Sequence, residues 1–178
     1  TENYRAGARV LERMGLCLET GVMFPQLPEL ADFARSAPGL TIILNHIGGL
    51  MRTGPYGNRD EEVLATWRSG ITAVAICPNV IIKLGGIGMP RYGFDWHTRE
   101  EPIGSVELAE SMAPYMNHCI EQFGPGRSMF ESNFPVDKVA YSYNVMYNAF
   151  KRLSKGYSAG ERADMFHDTA ARVYRIEV

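Results

Sequence analysis

Side chains able to do chemistry stand at the ends of short apolar runs in this sequence. His46 follows the run 40–44, Lys83 lies within the run 80–84, and Asn133 ends another such run. A histidine can accept a proton or bind a metal, and an amide oxygen can orient a water molecule. Parallel strands bring their carboxyl ends to one edge of the sheet, and α/β proteins with parallel sheets carry their reactive groups at that edge. The pattern therefore predicts His46, Asn133 and Lys83 as catalytic residues.

Each of these residues also has a structural interpretation. A lysine inside an apolar strand needs a partner, because an unpaired buried charge costs several kcal/mol. Glu19 and Glu131 on neighbouring runs can supply that partner, which would make Lys83 part of an ion pair inside the sheet. His46 can equally stabilise the glycine turn that follows it, and Asn133 can cap the turn before a proline.

Two long polar loops, 51–60 and 87–104, contain further candidates. The predicted substrate-binding residues in them are Arg52, Tyr56, Trp96 and His97. The aromatic residues suit a lid over a planar molecule, although exposed aromatics at a protein interface would look the same. Asp137 and Lys138 are interpreted as a solvated pair, with a helix cap as the second interpretation for Asp137.

Helical and apolar periodicities alternate along the chain and predict an α/β protein of four parallel strands with flanking helices. Two extra helices follow the last strand, and residues 1–178 form a single domain. The predicted strands cover 16–20, 40–44, 80–84 and 128–133. The predicted helices cover 6–14, 27–36, 61–76, 106–123 (interrupted or kinked at Pro114), 143–154 and 158–174. Ser158 and Glu161 form a predicted capping box.

Composition narrows the class of partner. The 178 residues have a formal net charge of -2, which gives no reason to expect a nucleic acid or an anionic membrane as partner. No apolar run approaches the ~20 residues needed to span a bilayer. Cys17, Cys77 and Cys119 are odd in number and far apart, as is typical of buried thiols in a reducing compartment. We therefore expect a cytoplasmic protein with a small-molecule substrate.

Two sequence motifs resemble those of a known protein family. Residues 43–49 read I-L-N-H-I-G-G, and residues 129–135 read M-F-E-S-N-F-P. In this order and spacing they resemble the amidohydrolase family of metal-dependent TIM-barrel hydrolases, in the branch that includes lactonases and nonoxidative decarboxylases. Residues 24–30 and 169–174 extend the resemblance to nearly the whole chain. It implies the C-terminal half of a (β/α)8 barrel, strands five to eight of the family fold.

The resemblance also implies roles for individual residues. His46 falls on a family histidine that binds a metal or polarises the substrate carbonyl. Phe24 falls on a second family histidine, and Asn133 falls on the family aspartate that serves as base or proton shuttle. The implied cofactor is a divalent metal, zinc or manganese. Phe24 and Asn133 argue against a full metal site, and metal-independent lactonases occur in the same branch.

The expected function is hydrolysis of a C–O or C–N bond, in a lactone, ester or amide of a small carboxylated or cyclic substrate. His46 would polarise the carbonyl or bind the metal, and Asn133 would position the water. The alternatives are a decarboxylase on the same scaffold and a catalytically inactive homologue or fragment. A half barrel exposes two apolar strand edges, so we expect either a homo-oligomer or association with a missing N-terminal half.

Overall fold

The computed structural model describes residues 1–177, and its centre is a sheet of four parallel strands in sequential order. Helices precede, separate and follow the strands, so the predicted α/β fold with flanking helices is confirmed. The strands are β1 (Leu18–Thr20), β2 (Ile42–Leu44), β3 (Val80–Leu84) and β4 (Ser128–Phe130). The helices are α1 (Glu2–Arg13), α2 (Leu27–Ser36), α3 (Asp60–Ala75), α4 (Ser105–Phe123), α5 (Tyr143–Leu153), α6 (Ala159–Ala163) and α7 (Thr169–Tyr174).

Some predicted bounds are wrong for local reasons. β4 ends at Phe130, before the predicted bound, and Asn133 has a φ of 51°, in the left-handed region that a strand does not use. The helix is not interrupted at Pro114, since α4 continues through it, and the alternative of a kink there stays a prediction. The predicted helix 158–174 is divided by the wider turn Asp164–Asp168 between α6 and α7. The capping box at the start of α6 is confirmed.

The strand register places the charged residues of the sheet on one face. Paired residues of parallel strands point to the same side, so Glu19, Ile43 and Ile81 share a face. Lys83 lies two residues beyond Ile81 on that face, opposite Met129. We call these five residues the inner face. Its apolar part packs against α7, whereas the other face of the sheet packs against α2, α3 and α4 in the main core.

The two outer strands have open edges. β1 and β4 each pair with one neighbour among residues 1–177. Val10, Met14 and Leu16 are exposed apolar residues on α1 and on the segment that enters β1. Open edges and exposed apolar side chains favour association, but association with a second copy or with another half barrel stays a prediction.

Two expectations drawn from composition can be compared with the fold. Cys17, Cys77 and Cys119 are free thiols, and Cys77 and Cys119 are buried. In the described part of the chain, no helix combines the length and apolar character required to cross a membrane.

Candidate functional site

A left-handed turn places His46 directly after β2. His46, Ile47, Gly48 and Gly49 have φ values of 54°, 47°, 74° and 62°. Backbone of this kind is strained for His46 and Ile47, and the surrounding structure must hold it. The carbonyl of Ile47 accepts a hydrogen bond of 2.7 Å from the Trp67 indole nitrogen. A side chain at Gly49 would collide with the Val22 carbonyl, 1.9 Å from the position of its Cβ, so the turn requires glycine there.

The imidazole of His46 is held by Glu131. Nδ1 of His46 lies 2.6 Å from Oε1 of Glu131, and the same oxygen accepts the His46 backbone N–H at 3.1 Å. A carboxylate next to Nδ1 favours the tautomer with the proton on Nδ1, so Nε2 is left as the acceptor. Gly86 makes room for this arrangement, because a Cβ there would lie 2.5 Å from His46 Nδ1.

The charges on the inner face are paired. Lys83 Nζ donates to Glu19 Oε2 at 3.0 Å and lies 4.0 Å from Glu131 Oε2, which confirms both predicted partners. The hydroxyl of Tyr174 also donates to Glu19. Burial acts to raise the pKa of Glu19, but the hydrogen bonds from Tyr174 and Lys83 outweigh it and hold the pKa below its ordinary value. A polar chain therefore runs from α7 across the sheet to His46.

Asp137 is the buried carboxylate of the last loop, and its interpretation as half of a solvated pair is wrong. Its side chain is fully buried. It accepts hydrogen bonds from Asn133 Nδ2 at 2.6 Å, the Tyr141 hydroxyl at 2.8 Å and the Gly88 backbone N–H at 3.1 Å. Burial raises the pKa of Asp137 above its ordinary value, against the opposing effect of these bonds. The carboxylate fixes the amide of Asn133, since its nitrogen faces Asp137 and its oxygen faces away.

A cavity of about 250 Å³ lies between the loops that follow the four strands. Both His46 and Asn133 line it, so the structure brings these two predicted residues together. The complete lining is Gly21, Val22, Met23, Asn45, His46, Gly49, Met89, Arg91, Asn133 and Val136. A hollow of about 590 Å³ lies beside Arg68 on α3 and His118 on α4. None of the loops that follow the strands contributes to its lining. We assign the candidate site to the smaller cavity because the potentially reactive side chains meet there.

The other predicted site residues lie outside this lining. Lys83 belongs to the inner face. Arg52 binds Asp60 through two nitrogens and the Tyr115 hydroxyl through a third, at 3.1 Å. The remaining three are Tyr56, which packs edge-on against Phe24; Trp96, which is buried and stacks on Phe94; and His97, which is exposed. Their roles in substrate binding stay predictions.

Sequence reasoning missed two residues of the site, Asp137 and Arg91. The available signal for Asp137 was its position four residues after Asn133, because a single turn of chain brings two such residues together. In the structure the backbone N–H of Asp137 donates to the carbonyl of Asn133 at 3.2 Å. Arg91 had no local signal within its loop. Its neighbour Tyr92 donates a hydrogen bond of 2.6 Å to the His46 carbonyl, which fixes the loop against the left-handed turn.

The donors required by the implied divalent metal do not converge. Phe24 is buried against Tyr56, with ring centroids 4.9 Å apart, and carries no donor atom. Glu131 holds Nδ1 of His46, which leaves Nε2 as the one available donor of this ring, and Asn133 offers an amide oxygen in place of a carboxylate. Within residues 1–177, no group of three or more His, Cys, Asp or Glu side chains is placed to hold a metal. The residues present do not fit a divalent metal by themselves.

Comparison with known proteins identifies the family. The family model described as amidohydrolase matches residues 2–176. This chain belongs to the amidohydrolase family, as the two motifs predicted. The uncharacterized protein y4mH of Sinorhizobium fredii is 37% identical over 176 residues, which are 99% of this chain and 52% of that protein. An L-fucono-1,5-lactonase of Burkholderia multivorans is 29% identical over 154 residues, 85% of this chain and 48% of the lactonase.

Solved structures agree with the fold. An amidohydrolase from Burkholderia multivorans was crystallised in one form with bound HEPES and in another with bound zinc. This chain matches the two forms with TM-scores of 0.85 and 0.83 at 26% and 25% identity. The matches cover 99% of this chain and 59% and 58% of the other. The chain therefore spans about half the length of the curated relatives it matches, and its fold is that of a half barrel.

Proposed function

We propose that this chain supplies the catalytic histidine of a hydrolase that opens a small lactone. The observation that carries the proposal is the 2.6 Å contact between His46 Nδ1 and Glu131 at the wall of the cavity. The lactonase among the relatives supports the lactone as substrate class. A decarboxylase would need a metal held by residues that the described chain does not bring together. The remaining walls of the site would come from a second copy or another half barrel on the open edges.

His46 is the general base in this proposal. With its proton on Nδ1 and donated to Glu131, the imidazole accepts a proton at Nε2. Asn133 has no proton-accepting role near neutral pH, but its amide oxygen can accept a hydrogen bond from the attacking water. The water oxygen bonds to the lactone carbonyl carbon while its proton moves to Nε2. Glu131 then stabilises the imidazolium that has formed.

The second half of the reaction returns that proton. The tetrahedral intermediate breaks the bond between the carbonyl carbon and the ring oxygen. The imidazolium of His46 donates its proton to the leaving ring oxygen, so the product is an open-chain hydroxy acid and His46 is neutral again. Each turnover consumes one water and needs no other co-reactant.

A panel assay tests the proposed reaction. Purified chain is incubated with five- and six-membered lactones and with the corresponding lactams, and acid release is followed in weakly buffered solution. We expect lactone opening above the buffer rate, with little lactam hydrolysis. Hydrolysis of neither class above buffer, by the chain alone and by the chain assembled with the other half barrel, would overturn the proposal.

The substitution Asn133→Asp distinguishes two hypotheses. In one, Asn133 takes part in the reaction; in the other, it has replaced an aspartate that once bound a metal. The new carboxylate would lie at the position of an amide nitrogen 2.6 Å from Asp137. Two carboxylates at this distance cannot both ionise, so the pKa of the pair rises and stability falls as the pH increases toward neutral. We expect lower kcat for lactone opening and greater sensitivity to urea at pH 7 than at pH 5.

Asn133→Ser is the control, because it also removes the amide but introduces no charge. Metal analysis of the purified aspartate variant completes the test. Stoichiometric zinc or manganese together with increased hydrolysis would contradict this account and show that Asn133 marks a lost metal ligand.

A further inference from the structure

Three of the four polar atoms of His46 are held by other side chains. The Glu131 carboxylate lies 2.6 Å from Nδ1 and accepts the backbone N–H at 3.1 Å. The backbone carbonyl of His46 accepts a hydrogen bond of 2.6 Å from the Tyr92 hydroxyl. The fourth polar atom, Nε2, is the proton acceptor of the proposed reaction. His46 therefore has two anchors, and Tyr92 is the anchor that comes from the loop after β3.

The backbone at His46 has a conformation that needs such an anchor. His46 and Ile47 have φ values of 54° and 47°, and residues with side chains keep this conformation only where the surrounding structure holds it. The buried Trp67 and Tyr92 each donate to one of the two carbonyls of this segment, Trp67 to that of Ile47. The loss of either donor leaves a carbonyl without its partner and weakens the left-handed turn.

Tyr92 is itself fixed in place. Its side chain is fully buried in the main core, and its backbone N–H donates to the Met89 carbonyl at 3.0 Å. The carbonyl of the preceding residue, Arg91, accepts the Arg52 backbone N–H at 2.9 Å. Burial raises the pKa of Tyr92 above its ordinary value, against the opposing effect of the Arg91 charge. The hydroxyl therefore keeps its proton and remains a donor at neutral pH.

We propose that Tyr92 is a positioning residue for His46. Its hydrogen bond to the His46 carbonyl holds the left-handed turn, and the turn holds the imidazole against Glu131 with Nε2 free to accept a proton. The residues that line the cavity include His46 and not Tyr92, so Tyr92 acts on the reaction through His46 and not through the substrate. The inference rests on the proposed role of His46 as general base and adds a residue that sets its orientation.

NMR of the chain with nitrogen-labelled histidine tests this orientation without any reaction. At about pH 8.5, where an ordinary imidazole is neutral, the ring nitrogen shifts show which nitrogen carries the proton. His46→Gln assigns the His46 signals among those of the four histidines. We expect the proton on Nδ1 in the wild-type chain. Tyr92→Phe keeps the aromatic ring and removes the donor, so it should populate both tautomers of His46.

Ser128→Ala is the matched control. The fully buried Ser128 hydroxyl also donates to a backbone carbonyl, that of Gly124 at 3.0 Å, but at the opposite end of the sheet. This variant should lose similar stability in urea and leave the His46 signals unchanged. With a lactone that the wild-type chain opens, Tyr92→Phe should lower kcat about tenfold, as expected for one neutral hydrogen bond, and should leave KM within about twofold.

Three results would overturn the inference: a proton on Nε2 in the wild-type chain, wild-type His46 signals in folded Tyr92→Phe, or an equal response to Ser128→Ala. Where Tyr92→Phe does not fold, a tyrosine fluorinated beside its hydroxyl is incorporated at position 92, because it keeps the ring and changes the strength of the donor. Unchanged His46 signals in that protein would also refute the inference.

Failure of the proposed function looks different. A His46 tautomer that depends on Tyr92, without lactone opening by any of these proteins, would refute the hydrolase and leave Tyr92 as the residue that orients the imidazole. Lactone opening with equal kcat in the wild-type chain and Tyr92→Phe would do the reverse.

Discussion

Replacing Glu131 by glutamine is expected to lower kcat for lactone opening by about a hundredfold. The carboxylate accepts both the Nδ1 proton and the backbone N–H of His46. Glutamine keeps the shape but not the charge, so the imidazole loses its preferred tautomer and the imidazolium loses its counter-ion. Positioned proton transfer contributes about 10²–10⁴ to a rate, and the loss of orientation removes part of that contribution. Steady-state kinetics with a lactone opened by the wild-type chain measures the effect.

Glu19→Gln is the matched control. Glu19 belongs to the same polar chain, since Lys83 bridges it to Glu131, but among the described residues no hydrogen bond or ion pair joins it to His46. The control should leave kcat within about twofold of wild type, because Glu19 is partly exposed and Lys83 keeps Glu131 as a second carboxylate 4.0 Å away. Equal effects of the two substitutions would show that the network as a whole is structural and that Glu131 has no special relation to His46.

Replacing Asp137 by alanine is expected to destabilise the chain by about 3 kcal/mol. The substitution leaves the Gly88 N–H, the Tyr141 hydroxyl and the Asn133 amide without their acceptor in a buried place. Each unsatisfied donor costs about 1–3 kcal/mol, and part of this is offset because a buried charge is also removed. Urea unfolding measures the change. Tyr141→Phe removes one bond and should cost about 1 kcal/mol; equal stability of Asp137→Ala and wild type would refute the role of Asp137 as the anchor of this loop.

The pH dependence of stability gives a second measurement on Asp137. Burial raises the folded-state pKa of its carboxyl above the unfolded value of about 3.9. An acid shifted in this direction binds protons more tightly in the folded chain, so its contribution is present below that value and is lost as the pH rises through the folded pKa. The wild-type chain should lose more stability than Asp137→Ala between about pH 4 and neutral. A steeper decline in the variant would contradict the direction of the shift.

The strands and the paired charges could be predicted because their signals are local. β3 matches its predicted bounds, since an apolar run bounded by a proline turn and two glycines has few other interpretations. A half-buried lysine such as Lys83 needs a carboxylate partner as a general rule, and the neighbouring strands offer Glu19 and Glu131. The reason for the glycine pairs at 48–49 and 85–86 lies in tertiary contacts. In the structure these glycines permit the close approach of Val22, His46 and neighbouring backbone.

The loop after β4 could not be predicted because it reverses the usual pattern of burial. Val136 and Val139 are 53% and 57% exposed, whereas Asp137 between them is fully buried. Only the three donors that converge on its carboxylate from Gly88, Asn133 and Tyr141 make this arrangement favourable, and one of them comes from a distant loop. Arg91 is similar, because the segment that positions it depends on contacts with Arg52 and with the turn after β2. Tertiary contacts of this kind leave no mark in local periodicity.

The central claim is that His46 performs the hydrolytic chemistry in the cavity at the strand ends. The most direct test is the ratio of lactone-opening rates for the wild-type chain and His46→Gln, both measured after treatment with a chelator. This account predicts that the wild-type chain opens the lactone about 10²-fold or more faster than the variant, because the general base is lost while the fold remains. Equal rates for the two proteins would contradict it.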